Sequence, residues 1–104
     1  MSKRLEMFDK LIGGGSKDPF HHYARALELR SLGRNADSLT SLVQVTEDYP
    51  DYVPSYLIAA QLASETSDAA RARALCDAGI LAARRSHNDH ALGELTELRG
   101  TLPD

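Results

Sequence analysis

Apolar residues recur at spacings of three and four along almost the whole chain, and no stretch alternates in steps of two with β-branched residues. That pattern calls for helices and leaves no place for a sheet. Six segments follow from it. In the first, Leu5, Phe8, Leu11 and Ile12 share a stripe, and the glycine run that ends in Ser16 closes it, because glycine is costly to hold in a helix. A second helix opens at Asp18-Pro19, a side-chain acceptor followed by a residue suited to the first helical position. Phe20, Tyr23, Ala24, Leu27 and Ser31 form its main face, Ala26, Leu29 and Leu32 flank that face, and Gly33 ends the helix. The third helix takes Asn35 as its cap, carries Leu39, Leu42, Val43 and Thr46 inward, and stops at Pro50. The fourth starts near Pro54 and packs through Tyr56, Leu57, Ala59, Ala60 and Ala63. Thr66 or Ser67 caps the fifth, whose inward set is Ala72, Leu75, Cys76, Gly79, Ile80 and Ala83. Asn88 or Asp89 opens the sixth, with Leu92, Leu95, Leu98 and Leu102 along one edge.

The connections are short, which sets neighbouring helices antiparallel. The hairpins also repeat. With a shift of about 34 residues, His22 falls on Tyr56, Tyr23 on Leu57, Ala26 on Ala60, Ser38 on Ala72, Leu42 on Cys76 and Thr46 on Ile80. Most pairs keep their size class, and small residues return where helices must approach closely.

At these residues the chain resembles the tetratricopeptide repeat family. The first unit, from 19 to about 52, has the small Ala26, the turn string Leu32-Gly33-Arg34-Asn35-Ala36-Asp37-Ser38-Leu39, Val45 near the end of its second helix, and the closing Pro50. The second, from about 53 to 86, keeps Tyr56, Ala60 and Ala72 but replaces the Leu-Gly turn with Glu65-Thr66-Ser67 and the closing proline with Arg84. Arg25 departs too, standing where the family has an aliphatic residue. The resemblance covers roughly two thirds of the chain and implies a short right-handed superhelix of antiparallel hairpins. The expected layout is a leading amphipathic helix and Gly-rich turn over 1–16, then a domain over 17–104. That domain holds hairpins 19–49 and 54–85 and a capping helix 88–100.

Composition narrows the function classes. At 42% hydrophobic and 26% charged, the chain can build one core and is not a disordered segment. A net charge of −3 argues against nucleic acid as the main partner, which draws on an excess of Lys and Arg. No apolar run approaches membrane-spanning length, and the lone Cys76 excludes an intrachain disulfide. A cytoplasmic protein without cofactor is expected.

Candidate chemistry is sparse. His87 and His90 stand three apart, and His21 and His22 are adjacent and so point about 100° apart on a helix. A zinc site wants three or four convergent ligands, so capping or solvated roles come first. The acid pairs Glu65/Asp68, Glu94/Glu97 and Asp48/Asp51 read as solvated charges at helix ends and on outer faces, and Arg71, Arg73, Arg84 and Arg85 as a solvated basic edge. Cys76 reads as core. No catalytic constellation emerges.

What remains is the groove that the resemblance implies, lined by the first helix of each hairpin. Its positions here are Tyr23, Leu27, Arg30 and Ser31 from the first unit and Leu57, Gln61, Ser64 and Glu65 from the second. Apolar anchors with a polar rim suit a peptide or helix. The groove lacks the clustered Lys and Arg of a clamp for C-terminal carboxylates. The expectation is an adaptor or scaffold for a protein partner, with self-assembly into a homodimer as the alternative, since two repeats fall short of the ~3 a solenoid usually needs. The leading helix is itself a candidate to fill the groove.

Overall fold

The computed structural model describes residues 2–103. Its described residues are helical and carry no strand: α1 (Lys3–Gly13), α2 (Pro19–Ser31), α3 (Asn35–Asp48), α4 (Pro54–Glu65), α5 (Ala69–Arg85) and α6 (Asp89–Thr101). Each helix packs against its neighbour in sequence, and α4 also touches α6. The result is a slab of 39 × 29 × 19 Å. α2 with α3 and α4 with α5 are the two hairpins, α1 leads and α6 follows.

Local chemistry sets the boundaries. Asp18 caps α2 by accepting from the Phe20 N–H, with Pro19 at the first position. Asn88 caps α6 by accepting from the Ala91 N–H. Two caps differ from expectation. Asp68, not Thr66 or Ser67, caps α5 and accepts from the Arg71 N–H. The cap of α3 is Arg34, not Asn35, and it gives no side-chain cap bond; its guanidinium pairs with Asp37 instead.

The reason lies in the preceding turns, which are all the same. At the end of α2, Gly33 is left-handed at φ +78° and the Arg34 N–H returns to the Leu29 carbonyl. At the end of α4, Ser67 takes that place at φ 62°, with the Asp68 N–H on the Ala63 carbonyl. At the end of α5 it is His87 at φ 53°, with the Asn88 N–H on the Ala83 carbonyl. These are Schellman ends, in which the residue after the left-handed one is already the next cap. The second unit has lost the glycine and kept the geometry.

Small side chains make the close approaches. Ala26, Ala59, Ala60, Ala63, Ala72 and Ala82 are completely buried among Leu29, Leu42, Leu62 and Leu95. Gly79 of α5 lies so near α4 and α6 that a methyl group there would sit 2.7 Å from Tyr56 Cβ and 3.1 Å from both Leu95 methyls. Tyr56 is buried and its hydroxyl donates to the Pro50 carbonyl at 2.7 Å, tying α4 to the turn before it. Ser38, the small residue of the first unit's second helix, donates to the Ala26 carbonyl at 2.7 Å across the hairpin.

The expected core of α2 needs correcting. Ala26 and Leu29, placed on its flank, are its buried residues. Tyr23, Ala24 and Leu27 are half-buried, and Phe20 and Ser31 are exposed. Helix α2 lies between α1 and α3, so its inward side is where both neighbours meet it, and apolar spacing alone cannot pick that side. In α1, Phe8 is buried, Leu5 and Ile12 half-buried, and Leu11 exposed. In α4 Leu62, and in α3 Val45, join the expected inward residues.

Candidate functional site: the face of α2, α4 and α6

The first helices of the two hairpins approach each other through side chains in their last turns. Arg30 Nη2 of α2 reaches Glu65 Oε1 of α4 at 3.2 Å, so two of the groove positions bind each other. Tyr23 sits edge-on to Tyr52 with ring centroids 5.4 Å apart. Burial pushes the Tyr23 phenol above its ordinary pKa, and Arg30 pulls it part of the way back. Ser64 is half-buried in the last turn of α4.

Two clefts involve the groove positions. Leu57 and Gln61 of α4 form one wall of a cleft of about 280 Å³, whose other wall is Glu94, Glu97, Leu98 and Thr101 of α6. Leu27 instead lines a crevice of about 250 Å³ between α1 and α2, with Phe8, Phe20 and Ala24. Of the groove positions, Leu57 and Gln61 thus line one cleft, Leu27 and Ser31 another, and Arg30 and Glu65 pair with each other. The contribution of α6 was missed in the sequence, where Glu94 and Glu97 read only as solvated charges. The signal available was their spacing of three, which sets both on one side of an otherwise leucine-rich helix.

The leading helix takes a neighbouring stripe. Asp9 accepts from Arg25 Nε at 2.6 Å, Ser2 Oγ donates to Glu28 at 3.1 Å, and Arg4 approaches Glu28 at 3.9 Å. Arg25 thus binds α1 and also donates to Ser41 of α3. The turn before α2 is held as well. Ser16 Oγ is 2.7 Å from His21 Nδ1, and the Ser16 carbonyl is 3.1 Å from His22 Nε2. With these contacts α1 meets the groove at Leu27, while the α4–α6 cleft is lined by those two helices.

Several of the other candidates have structural roles or partners. His87 is the left-handed turn residue, and His90 Nε2 is 3.0 Å from Glu94. Among the described residues no three His, Cys, Asp or Glu side chains gather as metal ligands would. Asp51 pairs with Arg85, Asp48 accepts from Gln44, and Arg73 donates to the Pro103 carbonyl. Cys76 is wholly buried, and desolvation pushes its thiol pKa up, which disfavours the reactive thiolate. Among the described residues no helix is long and apolar enough to cross a membrane.

Alternating hairpins that share one face define an α-helical repeat protein. No family model and no curated protein matches the chain. Solved structures do. The solution structure of a tetratricopeptide repeat domain protein from Salinibacter ruber is 28% identical, with a TM-score of 0.76 over 80% of this chain and 84% of that one. A crystal structure of a tetratricopeptide repeat domain protein from the same organism is also 28% identical, with a TM-score of 0.75 over 80% of this chain and 92% of its own. Within the helical repeat proteins, the fold of this chain is similar to that of these tetratricopeptide repeat domains.

Proposed function

We propose that the chain is a non-catalytic adaptor or scaffold that takes a peptide or helix of a protein partner on the face of α2, α4 and α6. The observation that carries this reading is the α4–α6 cleft, where Leu57 and Leu98 stand beside Gln61, Thr101, Glu94 and Glu97. Apolar anchors ringed by hydrogen-bonding groups are what helix and peptide recognition uses. Tyr23, Leu27, Arg30, Ser64 and Glu65 extend the face toward α1. The buried free thiol of Cys76 fits a reducing compartment, and we assign the protein to the cytoplasm.

The test compares captured partners of the wild type with those of a Leu57→Glu/Gln61→Arg variant and of a control, Gln44→Arg, on exposed α3 surface. Loss of a partner in the first variant alone, with the helical melt unchanged, supports the reading. A partner retained by that variant and lost by the control refutes it. The second reading, self-assembly without a separate ligand, draws on the terminal helices α1 and α6, each stacked at one end of the two hairpins.

A further inference from the structure

The charges of this chain are unevenly distributed. Its lysines, Lys3, Lys10 and Lys17, all lie within the first 17 residues. On α1 two of them belong to a stripe. Lys3, Lys10 and Leu11 stand three or four positions from Met7, which places the four along one side of a helix. With Glu6 they line a surface made of α1 alone. Met7 is 50% exposed and Leu11 39% exposed. Among the described residues neither lysine makes an ion pair, whereas Arg4 and Asp9 on the same helix are engaged with α2.

At the other end of the chain the signs reverse. The α4–α6 cleft has Leu57 and Leu98 as apolar walls, Gln61 and Thr101 as hydrogen-bonding groups, and Glu94 and Glu97 as its charges; no basic side chain lines it. Glu97 makes no ion pair among the described residues, and Glu94 meets the exposed His90. One end of the molecule therefore presents a helix with two leucine-sized apolar side chains beside unspent positive charges. The other presents a cleft with leucine walls and negative charges.

We infer that the α4–α6 cleft receives α1 of a second copy of this chain, with Met7 and Leu11 against Leu57 and Leu98, and Lys3 and Lys10 toward Glu94 and Glu97. This rests on the reading of that face as partner-binding and names its partner. An amphipathic helix laid in a groove is an established mode of recognition. Methionine adapts to an irregular apolar wall, and charge complementarity fixes which helix is accepted. Glu6 opposes the match with a single charge against two. The contact joins unlike surfaces, and two copies that exchange helices reciprocally close it into a two-fold pair in which it occurs twice.

The experiment is sedimentation velocity on the full chain from about 10 μM to about 1 mM, the range in which small interfaces associate, at low and at high salt. The wild type is expected to associate with concentration and to dissociate as salt rises. Lys3→Glu/Lys10→Glu should weaken association about tenfold, and Glu94→Lys/Glu97→Lys likewise. The chain with all four reversals should regain it. Circular dichroism melts confirm that each variant is folded. A wild type that stays monomeric throughout, association indifferent to either reversal, or no recovery in the fourfold variant overturns the inference. A monomeric wild type whose captured partner is lost with Leu57→Glu/Gln61→Arg would sink this proposal while leaving the proposed function standing.

Discussion

Replacing Gly79 with alanine sets two known effects against each other. In the middle of α5, alanine is favoured over glycine by about 0.8–1 kcal/mol of helix propensity. The added methyl, however, falls 2.7 Å from Tyr56 Cβ and 3.1 Å from the Leu95 methyls. Carbon atoms prefer about 3.5–4.0 Å, so the first contact is about 1 Å too short. A Cβ cannot swing aside, and the Tyr56 ring is buried with its hydroxyl bound to Pro50, so α4 and α5 must separate. Overpacking of this kind costs about 1–3 kcal/mol. With the propensity gain subtracted, Gly79→Ala is expected to destabilise by about 0–2 kcal/mol, or up to about 15 °C in Tm for a domain this size. Gly93, in α6, has nothing within 4 Å of a built Cβ. Gly93→Ala should therefore stabilise by about 0.5–1 kcal/mol. Propensity cancels between the two variants, so their difference in urea or thermal melts reads the overpacking by itself. If both variants melt together, or if Gly79→Ala melts above the wild type, the close approach of α4, α5 and α6 is wrong.

Four further outcomes follow from the same packing. Ser67→Gly and His87→Gly relieve left-handed strain and should each raise stability by about 0.5–1 kcal/mol in denaturant titrations; a loss at His87 would mean that its side chain does more than close a turn. Ala26→Leu or Ala60→Leu should cost about 1–3 kcal/mol in thermal melts, because neither site has any exposed surface. Deleting residues 1–15 removes buried Phe8 and the partners of Arg25 and Glu28, and should lower the urea stability by at least about 2 kcal/mol; an equally stable truncated chain would make α1 a dispensable tail. Ser55→Ala should be neutral or stabilising by up to about 1 kcal/mol in the same titration, since the buried Ser55 hydroxyl has no hydrogen-bond partner among the described residues.

The candidate face was only partly legible. The resemblance placed Tyr23, Arg30, Leu57 and Glu65 on the first helices of the two hairpins, and the structure brings Arg30 to Glu65. Nothing local indicates that Arg30 and Glu65 occupy each other, because they are 35 positions apart in sequence. The same holds for Glu94 and Glu97, which become part of a cleft only when α6 stacks on α4. His21 and His22 are adjacent, yet both bond the turn residue Ser16, while His21 also approaches Asp18 at 3.8 Å and His22 packs against Tyr49.

Helix positions and their order were decided by the sequence alone. Apolar spacing, Asp18-Pro19, Gly33 and Asn88 act over one to four residues, so they work in the same way wherever the helix later sits. The repeat phase was readable for the same reason, as small residues return at each close crossing. Tertiary structure decided the rest. It made Ala26 and Leu29 the buried side of α2, because α1 and α3 close on it from two directions. It forced Ser67 and His87 into a conformation that neither residue prefers, because packing on both flanks demanded the same turn that glycine makes at 33. It also gave Arg25 its purpose, a carboxylate on a helix 16 residues away. Each of these depends on contacts between separate helices, and no window of sequence contains both partners.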